Sequence, residues 1–126
     1  MTMDLQAQAE EFRHCYGVVN ECNNREMQLT LIKEECEEFI AAHETMYEAM
    51  SGEADTLKEL ADLVYVCFQY AENMEWDLQE ALERVHASNM SKLGPDRKPI
   101  RREDGKILKG PNYEPPYLED LCHFIC

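Results

Sequence analysis

"LADLVYVCFQYA" (residues 60–71) is the stretch on which the fold turns. Its centre, Leu63-Val64-Tyr65-Val66, is β-branched and aromatic enough for a strand. The apolar pattern, however, continues nearly all round a helical projection for more than a dozen residues, which suits a buried helix better than a half-buried strand. Read as a helix, it starts near Asp55. Three neighbouring helices of one short subunit cannot cover every side of such a segment, so an obligate homo-oligomer is expected.

Working outward, the rest agrees with an all-α reading. All five prolines fall between Pro95 and Pro116, so the chain before Pro95 is free to be helical and the chain after it is not. A first helix is expected from about Met3 to Tyr16, with an apolar stripe of Leu5, Phe12, Tyr16 and Val19, broken by Gly17 and the asparagines that follow. A second starts near Arg25 and carries Ile32, Cys36, Phe39, His43, Met46 and Met50 at alternating steps of four and three. Ser51-Gly52 marks its stop. Met74–Asp77 reads as a kink or short turn. A fourth helix, "DLQEALERVHASNMSKL", ends at Gly94-Pro95. The tail holds a hairpin at Asp104-Gly105 and a basic, proline-rich arm. The expected division is a helical core over 1–94 and a C-terminal hairpin and arm over 95–126, which packs on the core or on a neighbouring subunit.

Composition narrows the functional classes. Twelve Lys and Arg against 26 Asp and Glu give a formal charge of −14, which repels nucleic acid and anionic membrane. The longest apolar run, Leu63–Phe68, is too short to span a bilayer. "MTMDLQAQAEEF" has no basic or apolar leader pattern. The cysteines show no CxxC pair and no zinc spacing, and Cys36 and Cys67 read as small core residues. A reducing cytoplasm is the expected setting.

The second helix carries an anomaly at "LIKEECEEFIAA" (residues 31–42). Glu37 joins Lys33, Glu44 and Glu48 on the wet face and Glu34 sits at its border. Glu35, by contrast, projects between Leu31 and Met46, inside the apolar sector, with Glu38 beside it. The third helix repeats this with Glu59 among Leu63, Val66 and Tyr70, and Asp62 at that sector's edge. Each pair is three residues apart, hence on neighbouring positions of one face. Twenty residues separate Glu38 from Glu59, enough for an antiparallel hairpin that brings the pairs face to face, provided the second helix ends before Ser51 or the loop is generous. Unpaired buried carboxylates are costly and repel one another. Lys33 and Lys58 are expected to point elsewhere, so a divalent cation is the economical counter-charge. All-oxygen ligands favour Mg²⁺, with Mn²⁺ as substitute, over zinc.

Asn89 and Lys92 fall within the apolar arc of the fourth helix, where an amide and an ammonium suit sugar and phosphate. Seven of the twelve bases lie between Lys92 and Lys109, and beside an acidic metal site they could grip a polyphosphate. Two rival classes compete with this reading. A di-iron carboxylate bundle needs ExxH pairs, for which Glu11/His14 and Glu83/His86 have the right spacing but the wrong directions. A non-catalytic acidic module docking a basic partner leaves the carboxylates on apolar faces unexplained.

Glu34-Glu35-x-x-Glu38, then Glu59-x-x-Asp62, resembles the EExxE…ExxD signature of the MazG-like, all-α nucleoside triphosphate pyrophosphohydrolases. "VHASNMSKLG", "DGKILKGPNY" and "PPYLEDL" resemble a phage and bacterial subgroup described as phosphoribosyl-ATP pyrophosphohydrolase-like. The resemblance implies a four-helix MazG-like bundle in a homodimer or dimer of dimers, with the tail around the site. It implies Mg²⁺-dependent cleavage of a nucleoside triphosphate between the α and β phosphates, in a cytoplasm (the host's, for a phage protein). Glu35, Glu38, Glu59 and Asp62 are the expected metal ligands and Glu34 a water-positioning or outer-shell residue. Asn89, Lys92, Lys109 and Tyr113 are the expected substrate contacts. Arg13 departs from the His that relatives of this subgroup often carry after the Phe. Neither Tyr113 nor Trp76 distinguishes purine from pyrimidine.

Overall fold

A computed structural model describes residues 4–123. Among these, four α-helices and one two-stranded hairpin form two compact units, one of residues up to Leu78 and the other spanning Gln79–Cys122. The fold class is all-α, and "LADLVYVCFQYA" is helix throughout. No helix among the described residues is long and apolar enough to cross a membrane.

In the first unit, α1 (Leu5–Cys15) starts where the Asp4 carboxylate accepts the Ala7 N–H at 2.7 Å, an N-cap. It ends before Gly17, whose φ of +64° suits glycine. The expected apolar stripe does not face the core. Leu5, Phe12, Tyr16 and Val19 are all exposed, and α1 instead buries Ala9 and Arg13. Arg13 is held inside by acceptors on α3, while Leu5 lines a groove against α3 and the Phe12 ring meets that of Tyr65 edge-on.

After a short 3₁₀ turn at Cys22–Asn24, α2 runs Arg25–Glu44 and α3 runs Gly52–Asn73. The second helix therefore ends seven residues before Ser51, and the connection is a tight turn at Met46–Glu48 rather than more helix. This removes the lopsidedness of the hairpin. At the turn the Thr56 hydroxyl donates to the Gly52 carbonyl at 2.7 Å and lies 3.2 Å from that of Ala42. A Cβ at residue 52 would lie 1.7 Å from the Met46 carbonyl oxygen, so only glycine fits. His43 and Met50, placed on the apolar stripe by spacing, are exposed here. α3 is capped at Met74, and Glu75 takes a positive φ of 60°.

The α3 apolar surface is only half used. Phe68 and Ala71 are buried, but Leu57 is 67% exposed, and Leu60, Val64 and Tyr65 are also open. Together with Leu5 and Ala9 they line a groove of about 400 Å³.

In the second unit, α4 (Leu78–Met90) leads to the hairpin of β1 (Ile100–Arg101) and β2 (Ile107–Leu108). The strands are antiparallel, with Ile100 opposite Leu108. Gly105 has φ +90°, and the Asp104 carboxylate accepts the Lys106 N–H at 3.1 Å, which together make the expected turn. The proline-rich arm is stitched back to α4. Arg84 reaches the Tyr117 carbonyl at 3.0 Å and the Asp120 carboxylate at 2.6 Å, and the Ser88 hydroxyl donates to the Glu114 carbonyl at 2.7 Å.

Candidate metal centre

The α2–α3 hairpin is antiparallel, with Ala42 beside Thr56 at the turn, so side chains on α2 before the turn meet those on α3 after it. The geometry brings Glu35, Glu38 and Glu59 together: each offers one carboxylate oxygen, and these oxygens lie within 4.8 Å of one another. Glu35 and Glu59 are half-buried; Glu38 is exposed and joins from the rim, contrary to its expected place in the apolar sector. Glu34 and Glu37 are both exposed.

The interior of this cluster is electrostatically unfinished. Glu35 Oε2 and Glu59 Oε2 are inaccessible to solvent and have no hydrogen-bond partner. Burial pushes the Glu35 carboxyl above its ordinary range, and the charges of Glu38 and Asp62, a hydrogen bond with Glu38, and the charge of Glu59 push it further the same way. Three carboxylates gathered in this way, two of them with an orphaned oxygen, fit a hard divalent cation: the donors are all oxygen, and the cluster needs positive charge. No histidine belongs to the cluster. Glu11, His14, Glu83 and His86, the pairs of the di-iron reading, are all exposed.

Asp62 stands outside the three-oxygen set. Its Oδ2 lies 2.7 Å from Lys58 Nζ, which is also 3.5 Å from Glu59 Oε1. The expectation that Lys58 points elsewhere is therefore wrong. The signal was present in the sequence: Lys58 and Asp62 are four apart on one helix, the spacing of an intrahelical ion pair.

The remaining expected site residues lie on the second unit. Asn89, placed inside the apolar arc of α4 by periodicity, is exposed; Ser88 is the residue that α4 buries there. Its hydroxyl donates to the Glu114 carbonyl of the arm. Lys92 is half-buried, and its carbonyl accepts the Gly110 N–H at 2.9 Å. A Cβ at residue 110 would lie 2.7 Å from that carbonyl oxygen, so glycine permits this approach of the tail. Just beyond it, Lys109 Nζ sits 4.7 Å from the Tyr113 ring centroid, a cation–π contact. Lys92, Lys109 and Tyr113 thus share one neighbourhood of the second unit.

Sequence reasoning also missed a buried polar set in the first unit. Arg13 donates to Gln69 Oε1 at 3.2 Å and to Asn73 Oδ1 at 3.0 Å. Polar residues on the inner face of α3 were the available signal, but helical periodicity weighs only apolar ones.

No individual curated protein matches the chain. Residues 8–89 match the model of the phosphoribosyl-ATP pyrophosphohydrolase family, a span that contains all four acidic positions on α2 and α3.

Proposed function

Since the chain belongs to the phosphoribosyl-ATP pyrophosphohydrolase family, within the MazG-like nucleotide pyrophosphohydrolases, we propose that it is a Mg²⁺-dependent hydrolase of nucleoside triphosphates. Cleavage falls between the α and β phosphates, giving a nucleoside monophosphate and pyrophosphate. The observation that carries this reading is the pair of orphaned oxygens on Glu35 and Glu59 within a three-carboxylate cluster.

Glu35, Glu38 and Glu59 would hold the cation, with Asp62 as a fourth ligand. When bound, Mg²⁺ supplies neutralisation of the phosphate oxygens and polarisation of the α-phosphorus. Glu34, at the exposed edge of α2, is assigned to orient the attacking water. The water oxygen bonds to the α-phosphorus in line, the bond from that phosphorus to the bridging oxygen breaks, and a cluster carboxylate takes the proton. Asn89 and Lys92 are assigned to sugar and phosphate, and Lys109 and Tyr113 to the substrate's outer parts. The division into a catalytic core over 1–94 and an arm over 95–126 belongs to this reading. So do a homodimer or dimer of dimers formed through the open α1–α3 face, and a cytoplasmic setting where nucleotide and Mg²⁺ are abundant.

The test is purified protein with Mg²⁺, or Mn²⁺, and a panel of ribo- and deoxynucleoside triphosphates that includes phosphoribosyl-ATP. Pyrophosphate and monophosphate are the expected products. Orthophosphate plus diphosphate, or no turnover with any member, overturns the proposal.

A further inference from the structure

The geometry points to Lys58 as a placeholder for the cation, holding Asp62 until a divalent ion displaces it. This rests on the cluster being a cation site. Lys58 precedes Glu59 on α3, and its ammonium lies between Glu59 Oε1, at 3.5 Å, and Asp62 Oδ2, at 2.7 Å. It is the positive group that the structure puts against the acidic positions of α3. Asp62, which it holds, is the one of the four carboxylates outside the three-oxygen set.

The placeholder is removable because it is exposed. The Lys58 side chain is 66% open to solvent, and exposed ion pairs are weak. A divalent ion among Glu35, Glu38 and Glu59 offers Asp62 twice the charge in a drier place. Asp62 can therefore exchange Lys58 for the cation at little cost, while in the metal-free protein the ammonium offsets part of the repulsion among four carboxylates. Lys58 thus acts through Asp62 as a positioning residue: it competes with the cation and keeps the empty site from splaying.

The test is Mn²⁺ binding, read by the loss of free-ion signal in electron paramagnetic resonance, with thermal unfolding measured alongside. Lys58→Met keeps the stem and removes the charge. It should tighten Mn²⁺ by about two- to fivefold, the range that an exposed pair allows, and should lower the unfolding temperature only when metal is absent. Lys58→Arg should restore both values. In an Asp62→Asn background the gain from Lys58→Met should shrink, because only the longer contact with Glu59 remains. An equal gain in both backgrounds means a general field effect and overturns the exchange, as does weaker or unchanged binding in the single variant. If the wild-type protein binds no Mn²⁺ at all, the cation site itself fails and the placeholder falls with it. Binding by wild type without a Lys58 effect removes the placeholder alone.

Discussion

Arg13 Nη2 lies 3.0 Å from Asn73 Oδ1, a bond that ties α1 to the last turn of α3 across sixty residues of sequence. The same guanidinium reaches the Val19 carbonyl at 3.2 Å and the Asn20 side chain, while Asn73 Nδ2 donates to the Glu21 carbonyl at 3.0 Å. The connection between α1 and α2 is therefore fixed from inside by side chains. Arg13 is 3% exposed, and burial lowers its pKa, an effect that the charge of Glu72 partly offsets.

Arg13→Met should keep most of the volume and strand the Gln69 and Asn20 oxygens. The expected loss is about 2–3 kcal/mol of stability, the cost of leaving buried acceptors unpaired. Urea unfolding followed by circular dichroism measures it. A variant as stable as the parent would mean that the network is ornamental.

Glu35→Gln and Glu38→Gln should each reduce pyrophosphate release by roughly 100-fold or more, by analogy with losses from disturbed metal shells. Glu37→Gln, one residue from Glu38 and exposed, should change stability by no more than about 0.5 kcal/mol and leave turnover near the parent value. Steady-state assays at saturating Mg²⁺ give the contrast. Equal behaviour of Glu37 and Glu38 would reduce the acidic run to a solvated face.

The metal-free protein should grow more stable on mild acidification. Glu35 has a folded pKa above its unfolded one, because burial and its acidic neighbours disfavour the charge. Its contribution is thus fully present below the ordinary carboxylate range and is lost as pH rises through the raised value. The measurement is unfolding temperature against pH in chelator. A divalent ion should reverse the trend, since protons then compete with the bound cation. A metal-free profile that only falls with acid from neutrality would contradict this account.

Val64→Asp and Leu60→Asp place charge in the apolar groove of α1 and α3. Both positions are 41% exposed in the single chain, so neither substitution should unfold it. Each should convert an oligomer to monomer by light scattering at micromolar concentration. An unchanged mass would show that this face is not where subunits meet.

Much of this architecture could be read from residue order. The helical reading of residues 60–71, the stop before the prolines and the Asp104-Gly105 turn follow from local chemistry that no tertiary contact overrides. The assembly of Glu35 with Glu59 followed from two anomalies against strong apolar periodicity. What periodicity could not deliver was rotation about a helix axis where polar contacts set it. Arg13 takes the inner position on α1, Ser88 takes that of α4 in place of Asn89, and Lys58 reaches forward to Asp62. In each case a specific hydrogen bond or ion pair decided the direction, and a count of hydrophobic steps gives such pairs no weight.

Gly52 has a consequence for how this hairpin can change over time. It begins α3 with no spare room against the Met46 carbonyl, so it acts as an angular zero from which every later residue of the helix is indexed. A residue added in the loop between Met46 and the glycine disturbs that approach but leaves the angle between Gly52 and Glu59 along the helix unchanged. One added between Gly52 and Glu59 swings both carboxylates by roughly 100° away from α2. Length variation among descendants of this chain should therefore avoid the stretch from Gly52 to Glu59.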